Sequence, residues 1–165
     1  MSFKGTHQRG IHYQVSVENA HAHLWRVVLF VQQPRSKQKF QLPVWIPGSY
    51  LVREFSKQLS GFEATQDGKT VAVQQVDKCT WVSASKNNKP LQLQYLVHAH
   101  DHSVRTAWLD AHRGFFNGTS MFVQVLGQTQ DAISLELSGA TCSRGSLAHF
   151  SASAITASRT GWNSL

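Results

Sequence analysis

At 165 residues the chain is long enough for one domain with a buried core and too short for two comfortable ones. Its hydrophobic share of 41% suits a globular protein and includes no apolar run that could cross a bilayer, so no membrane partner is expected. The formal charge of +7 invites a nucleic-acid reading, but Lys and Arg are spread along the chain and no helical pattern carries a basic stripe. Arg35-Ser-Lys-Gln-Lys39, the densest cluster, falls between two strand-like runs, where a solvated hairpin tip is expected, and no nucleic acid is expected as a partner.

From the N-terminus, Met1-Ser-Phe-Lys-Gly-Thr-His7 has no apolar segment of the secretory type, which implies a cytoplasmic location. Ile11, Tyr13, Val15 and Val17 alternate with polar residues and predict a half-buried strand. Residues 23–32 are almost continuously apolar, as in a strand covered on both faces or a buried helix, and β-branched and aromatic content favours strand. Pro34 ends that run, and residues 39–46 return. Two prolines, Pro43 and Pro47, then forbid a helix and suit no central strand. Val44, Trp45 and Ile46 between them predict one short strand closed by the Pro47-Gly48 turn, and residues 50–55 are read as strand, bulge or one helical turn.

Residues 57–66 are polar apart from Leu59 and Phe62 and lead to the turn dipeptide Asp67-Gly68, a hairpin signal. Residues 70–76 and 80–84 read as strands, followed by a turn over residues 86–90. Leu91, Leu93, Tyr95 and Val97 alternate cleanly and are expected to face inward. Apolar runs at 104–109 and 121–126 flank a loop rich in Gly, Asn and Phe, and residues 133–137 form the last convincing strand. Short, regularly spaced strands without a long helical pattern predict an all-β fold, a twisted antiparallel β-sandwich over residues 1–137. Residues 138–165 are rich in Ser and Ala without a period, and a weakly ordered or truncated tail is expected, with a shifted reading frame as one origin.

Four ordered stretches carry a resemblance. They are Asn19-Ala-His-Ala-His-Leu-Trp25, Leu42-Pro-Val-Trp-Ile-Pro-Gly-Ser-Tyr-Leu-Val-Arg-Glu-Phe55, Val76-Asp-Lys-Cys-Thr-Trp81, and Ser103-Val-Arg-Thr-Ala-Trp-Leu-Asp110 running into Gly114-Phe-Phe-Asn-Gly-Thr-Ser120. In this order they resemble the N-terminal β-domain of the glycyl aminopeptidase family of zinc metallopeptidases, metallopeptidase family sixty-one. The resemblance implies a longer parent enzyme with a thermolysin-like catalytic domain holding zinc, and a PDZ domain. The β-domain would pack on the catalytic domain and help wall the cleft for a peptide substrate.

The chemistry of such an enzyme needs a helical His-Glu-x-x-His, and this chain has none among its nine histidines. A nucleophile elbow, a phosphate-binding glycine loop and a Cys-x-x-Cys are absent from the sequence as well. The chain alone is therefore expected to be non-catalytic and to hold no cofactor. Cys79 and Cys142 read as reduced thiols. His98, His100 and His102 stand at i, i+2 and i+4 of a strand and mimic a metal-ligand set. They belong to the face opposite Leu91, Leu93, Tyr95 and Val97 and are read as solvated, a decoy. His21 and His23 are read as packing at a strand end.

Binding is expected at residues 43–55 and 114–120, two stretches that join large apolar side chains to backbone unsuited to a ladder, while 114–120 reads equally as a hairpin corner with buried phenylalanines. Tyr50, Arg53, Phe116 and Asn117 are the substrate-binding or interdomain candidates, facing the parent's catalytic domain. Self-association of the isolated chain through the same face is expected too. Arg53, Glu54 and Arg105 are read first as ion pairs tying loops together. The rival reading is a free-standing β-sandwich module binding a carbohydrate, a peptide or a protein, which would show exposed aromatics on one open face.

Overall fold

The computed structural model describes residues 10–45 and 51–138. The Pro47-Gly48 turn, Tyr50, Cys142 and all of the Ser/Ala-rich stretch except Ser138 lie outside the described residues. Twelve strands follow in chain order: β1 (Gly10–Asn19), β2 (Leu24–Val31), β3 (Lys39–Gln41), β4 (Leu59–Gln66), β5 (Lys69–Val71), β6 (Val73–Asp77), β7 (Thr80–Ser83), β8 (Leu91–His98), β9 (Ala107–Leu109), β10 (Gly114–Phe116), β11 (Gln124–Val125) and β12 (Ala132–Ser138). A 3-10 turn at Phe55–Gln58 precedes β4, and a single helical turn, α1 (Gly118–Met121), precedes β11.

Six strands form one sheet in the order β12-β1-β2-β8-β4-β5, and four form the second in the order β11-β3-β7-β6. The expected sandwich is therefore present. Its core lies between the sheets, with Ile11, Tyr13, Val15, Val27, Leu29, Leu93 and Tyr95 from the first meeting Phe40 and Trp81 from the second. Alternation puts Leu91, Leu93, Tyr95 and Val97 inside, as the sequence pattern requires. The outward residues of β2, among them Val28 and Phe30, are half-buried, so the second face of this strand is less covered than its apolar run suggests.

Three departures have physical reasons. Residues 70–76 are two strands, because the chain leaves the first sheet at Ala72 to pair with β7 in the second. β12 pairs with β1 in parallel, so the larger sheet is mixed and not purely antiparallel. A parallel neighbour needs a long connection, and the chain supplies one by crossing to the second sheet before returning. The short strand expected at Val44–Ile46 is not formed over Val44 and Trp45. Pro43 has no N–H to give a ladder, and the Val44 carbonyl instead accepts from the Arg53 N–H at 2.8 Å.

β4 is an addition to the expected strands. A bulge between Ser60 and Glu63, with Gly61 at φ +63°, resets its alternation. Leu59, Phe62 and Ala64 all reach the core this way, and the Phe62 ring stacks on Trp81 and Tyr95 at 4.4 and 4.9 Å. The β4–β5 hairpin turns on Asp67 and Gly68, both at positive φ, as the dipeptide predicts. Among the described residues no helix is long and apolar enough to cross a membrane.

Candidate docking surface

Six large hydrophobic residues are exposed among those described, and four of them, Val44, Trp45, Leu51 and Val52, lie on either side of residues 46–50 in sequence. That clustering is the unusual feature of the surface, since scattered exposed apolar residues are normal. The Arg53–Val44 backbone bond ties the two flanking segments together, and Phe55 nearby is buried. Leu51 to Phe55 line a cleft of about 510 Å³. Val97, Asp101, Ala107 and Ser120 line it too.

Arg53 is the charged centre of this region. It borders this cleft and a second one that also holds Val44 and Cys79. Its Nε is buried and has no hydrogen-bond partner. Among the described residues neither Arg53 nor Arg105 makes an ion pair. Glu54 pairs instead with Lys78 at 3.6 Å, with both groups largely exposed. The loop-tying ion pairs expected of Arg53 and Arg105 are thus replaced by one exposed Glu54–Lys78 contact, which contributes little.

The two predicted binding stretches do meet, because α1 and the 3-10 turn are neighbours and Ser120 lines the same cleft as Arg53. Their candidate side chains are used differently. Phe116 is half-buried and packs edge-on against Trp25 and Phe122, at 5.8 and 5.6 Å. Asn117 caps α1, its side-chain oxygen accepting from the Thr119 N–H at 3.1 Å, while its own N–H donates to Thr106 O at 2.7 Å. Both hold the corner next to the cleft. Tyr50 lies outside the described residues.

The histidines lie on the outward face as expected, and His98, His100 and His102 are all exposed. They are not simply solvated. His102 and His100 stack on the Trp108 ring at 3.6 and 5.0 Å, and His23 lies 4.2 Å from His100. His23 has a positive φ of 57°, and its Nδ1 is hydrogen-bonded to the Leu109 carbonyl. The Trp108 indole N–H donates to Asp110 at 2.8 Å. That bond, with the His112 and Arg113 backbone N–H groups, holds the Asp110 carboxyl down at about 2. The separation of His23 from the cluster along the chain hid its membership, and no local motif marks it. Among the described residues no three His, Cys, Asp or Glu side chains are arranged to hold a metal ion. Cys79 is a free thiol, with its Sγ 3.7 Å from Ser56 Oγ.

Comparison with known proteins matches residues 12–151 to the Peptidase M61 N-terminal domain. The chain belongs to that family. Among solved structures, an aminopeptidase N family protein from Idiomarina loihiensis is 41% identical with a TM-score of 0.75, over 78% of this chain. The matched region is only 22% of the Idiomarina chain, so this chain corresponds to a minor part of it. An M1 zinc metallopeptidase from Deinococcus radiodurans aligns at 14% identity and a TM-score of 0.47, over 80% of this chain and 32% of its own. Among curated proteins nothing matches.

Proposed function

We propose that this M61 N-terminal domain is a non-catalytic part of a zinc aminopeptidase, packing on a catalytic domain and helping to wall its peptide cleft. The observation that carries the reading is the concentration of exposed Val44, Trp45, Leu51 and Val52 beside a half-apolar cleft. Large apolar side chains ringed by polar groups are what an interface core uses. The family membership supports the same arrangement, and so does the small share of the Idiomarina chain that this domain represents. Zinc belongs, on this reading, to the catalytic domain. Of the three described candidates, Arg53, Phe116 and Asn117, it is Arg53 that lines the cleft.

A chimaera tests this reading: the Idiomarina protein with its matching portion replaced by this chain. One cooperative unfolding transition is expected, together with aminopeptidase turnover. The isolated chain should give no turnover on an aminoacyl anilide when zinc is supplied. Turnover by the isolated chain, or a chimaera whose domains unfold independently, would overturn the proposal. Among the described residues the free-standing module for a carbohydrate, a peptide or a protein gains no open aromatic face. Trp45 is the one aromatic among the exposed large hydrophobics of the described residues, and Trp108 is covered by His100 and His102.

A further inference from the structure

Arg53 occupies an unusual position for a surface arginine. Its backbone N–H is tied to Val44 O, the next residue but one is buried Phe55, and its Nε is closed off from solvent without an acceptor. A buried donor left unpaired costs about 1–3 kcal/mol, and more when the group is charged. The acidic residues around the clefts do not remove that cost. Glu54 pairs with Lys78, and Asp101 accepts from the Ser103 N–H at 2.9 Å. A guanidinium is a planar donor fork that matches a carboxylate in two-point contact. Around it stand Val44, Val52 and the walls of the cleft, apolar groups that would exclude water from such a pair once covered.

We infer that Arg53 is the polar anchor of the domain interface and receives a carboxylate side chain, Asp or Glu, from the catalytic part of the peptidase. This deepens the docking reading and rests on it. The apolar residues beside Arg53 supply burial without direction. The guanidinium fixes register, because a misplaced partner would leave a desolvated charge unpaired. A protein carboxylate is favoured over a peptide substrate's because the cation sits at the foot of the exposed apolar cluster. A covering surface reaches there by burying Val44 and Val52 at the same time.

The test compares Arg53→Gln and Arg53→Lys in two settings, the chimaera with the Idiomarina protein and the 165-residue chain alone. In the chimaera, Arg53→Gln should split off or lower the transition of this domain by about 5 °C or more, with Arg53→Lys between. In the chain alone the same change should leave the transition unmoved or raise it, because it removes an unpaired charge. The wild-type advantage in the chimaera should also fade below about pH 4, where a carboxylate partner takes up a proton. Equal losses in both settings would assign Arg53 to the domain's own fold and overturn the inference. An unchanged chimaera would overturn it as well, and so would an advantage that persists in acid, which indicates a carbonyl acceptor. A free tripeptide that stabilises the isolated chain only when Arg53 is present would give the carboxylate to the substrate instead. If the wild-type chimaera itself melts as two independent parts, the docking reading fails first, and that result is distinct from the others.

Discussion

The two buried phenols of the sandwich interior and the Arg53 corner differ in how their polar atoms are partnered. Inside, the Tyr13 hydroxyl donates to Val123 O at 2.7 Å and the Tyr95 hydroxyl to Met121 O at 2.9 Å. The Val123 N–H returns to the Tyr95 oxygen at 3.3 Å, so two phenols staple the segment between α1 and β11 to the larger sheet. At the corner, the Arg53 Nε is buried with no acceptor. Both phenols are thus satisfied within the domain, although the Trp25 indole N–H is buried in the same core without a partner. On the proposed docking reading, the Arg53 donor awaits an acceptor from another part of the parent protein. If the proposal holds, folding and docking rest on different residues, and the two can be perturbed separately.

Breaking the interior should cost most. Tyr95 is fully buried among aromatic neighbours, so Tyr95→Ala should destabilise by about 3–5 kcal/mol in urea unfolding. Tyr95→Phe keeps the ring and should cost about 1–3 kcal/mol, because Met121 O and Val123 N lose their partner. Burial pushes both phenols well up, with the charge of Tyr13 a second cause at Tyr95. In the folded state they therefore keep their protons at a pH where the unfolded chain gives them up, above about 10. Their stabilising contribution is complete below that pH and is lost as pH rises beyond it. The alkaline slope of stability should flatten in the Tyr13→Phe, Tyr95→Phe double variant. An unchanged slope would show that these phenols titrate normally.

The next largest effect lies where β9 and β10 meet β2. A Cβ on Gly114 would stand 2.4 Å from the Trp25 ring, so Gly114→Ala must displace a large side chain. A loss of about 1–3 kcal/mol is expected by thermal unfolding, with changed Trp fluorescence. Replacing His98, His100 and His102 together by Gln should cost about 0.5–1.5 kcal/mol, because two of the rings stack on Trp108. A loss several times larger would give the cluster a role in the fold that its exposure does not suggest.

How much of this was legible depended on range along the chain. The period-two alternation of β1 and β8 names their inward residues directly, and the Asp67-Gly68 hairpin follows from its turn chemistry. β4 was hidden because the bulge at Gly61 shifts Leu59, Phe62 and Ala64 off a regular period. The sheet change at Ala72 and the parallel pairing of β12 depend on contacts distant in sequence, which no local pattern encodes. The site divides the same way. Residues 43–55 stood out for their prolines and aromatics, and Arg53 was named among them. That Phe116 turns inward and that His23 joins the Trp108 cluster required the fold.

The smallest stability effect is expected at the docking corner, and it sharpens the comparison most. Val52 is 76% exposed, and a solvent-facing substitution away from caps and strained backbone is usually worth within about 0.5 kcal/mol. Val52→Asp should therefore leave the unfolding midpoint of the isolated chain almost unmoved. It should nevertheless break up whatever oligomer the isolated chain forms through this corner, since association there would bury Val52 beside the unpaired Arg53. A carboxylate placed next to that guanidinium has a further consequence: it offers the missing acceptor within the chain. Sedimentation of wild type and Val52→Asp across a concentration series gives the measurement, with unfolding midpoints taken on the same samples. A variant that stays monomeric at unchanged stability would locate association at this corner and dissociate it from folding. A variant that loses stability as Tyr95→Phe does would show that the corner belongs to the core after all, and the distinction between the two regions would collapse.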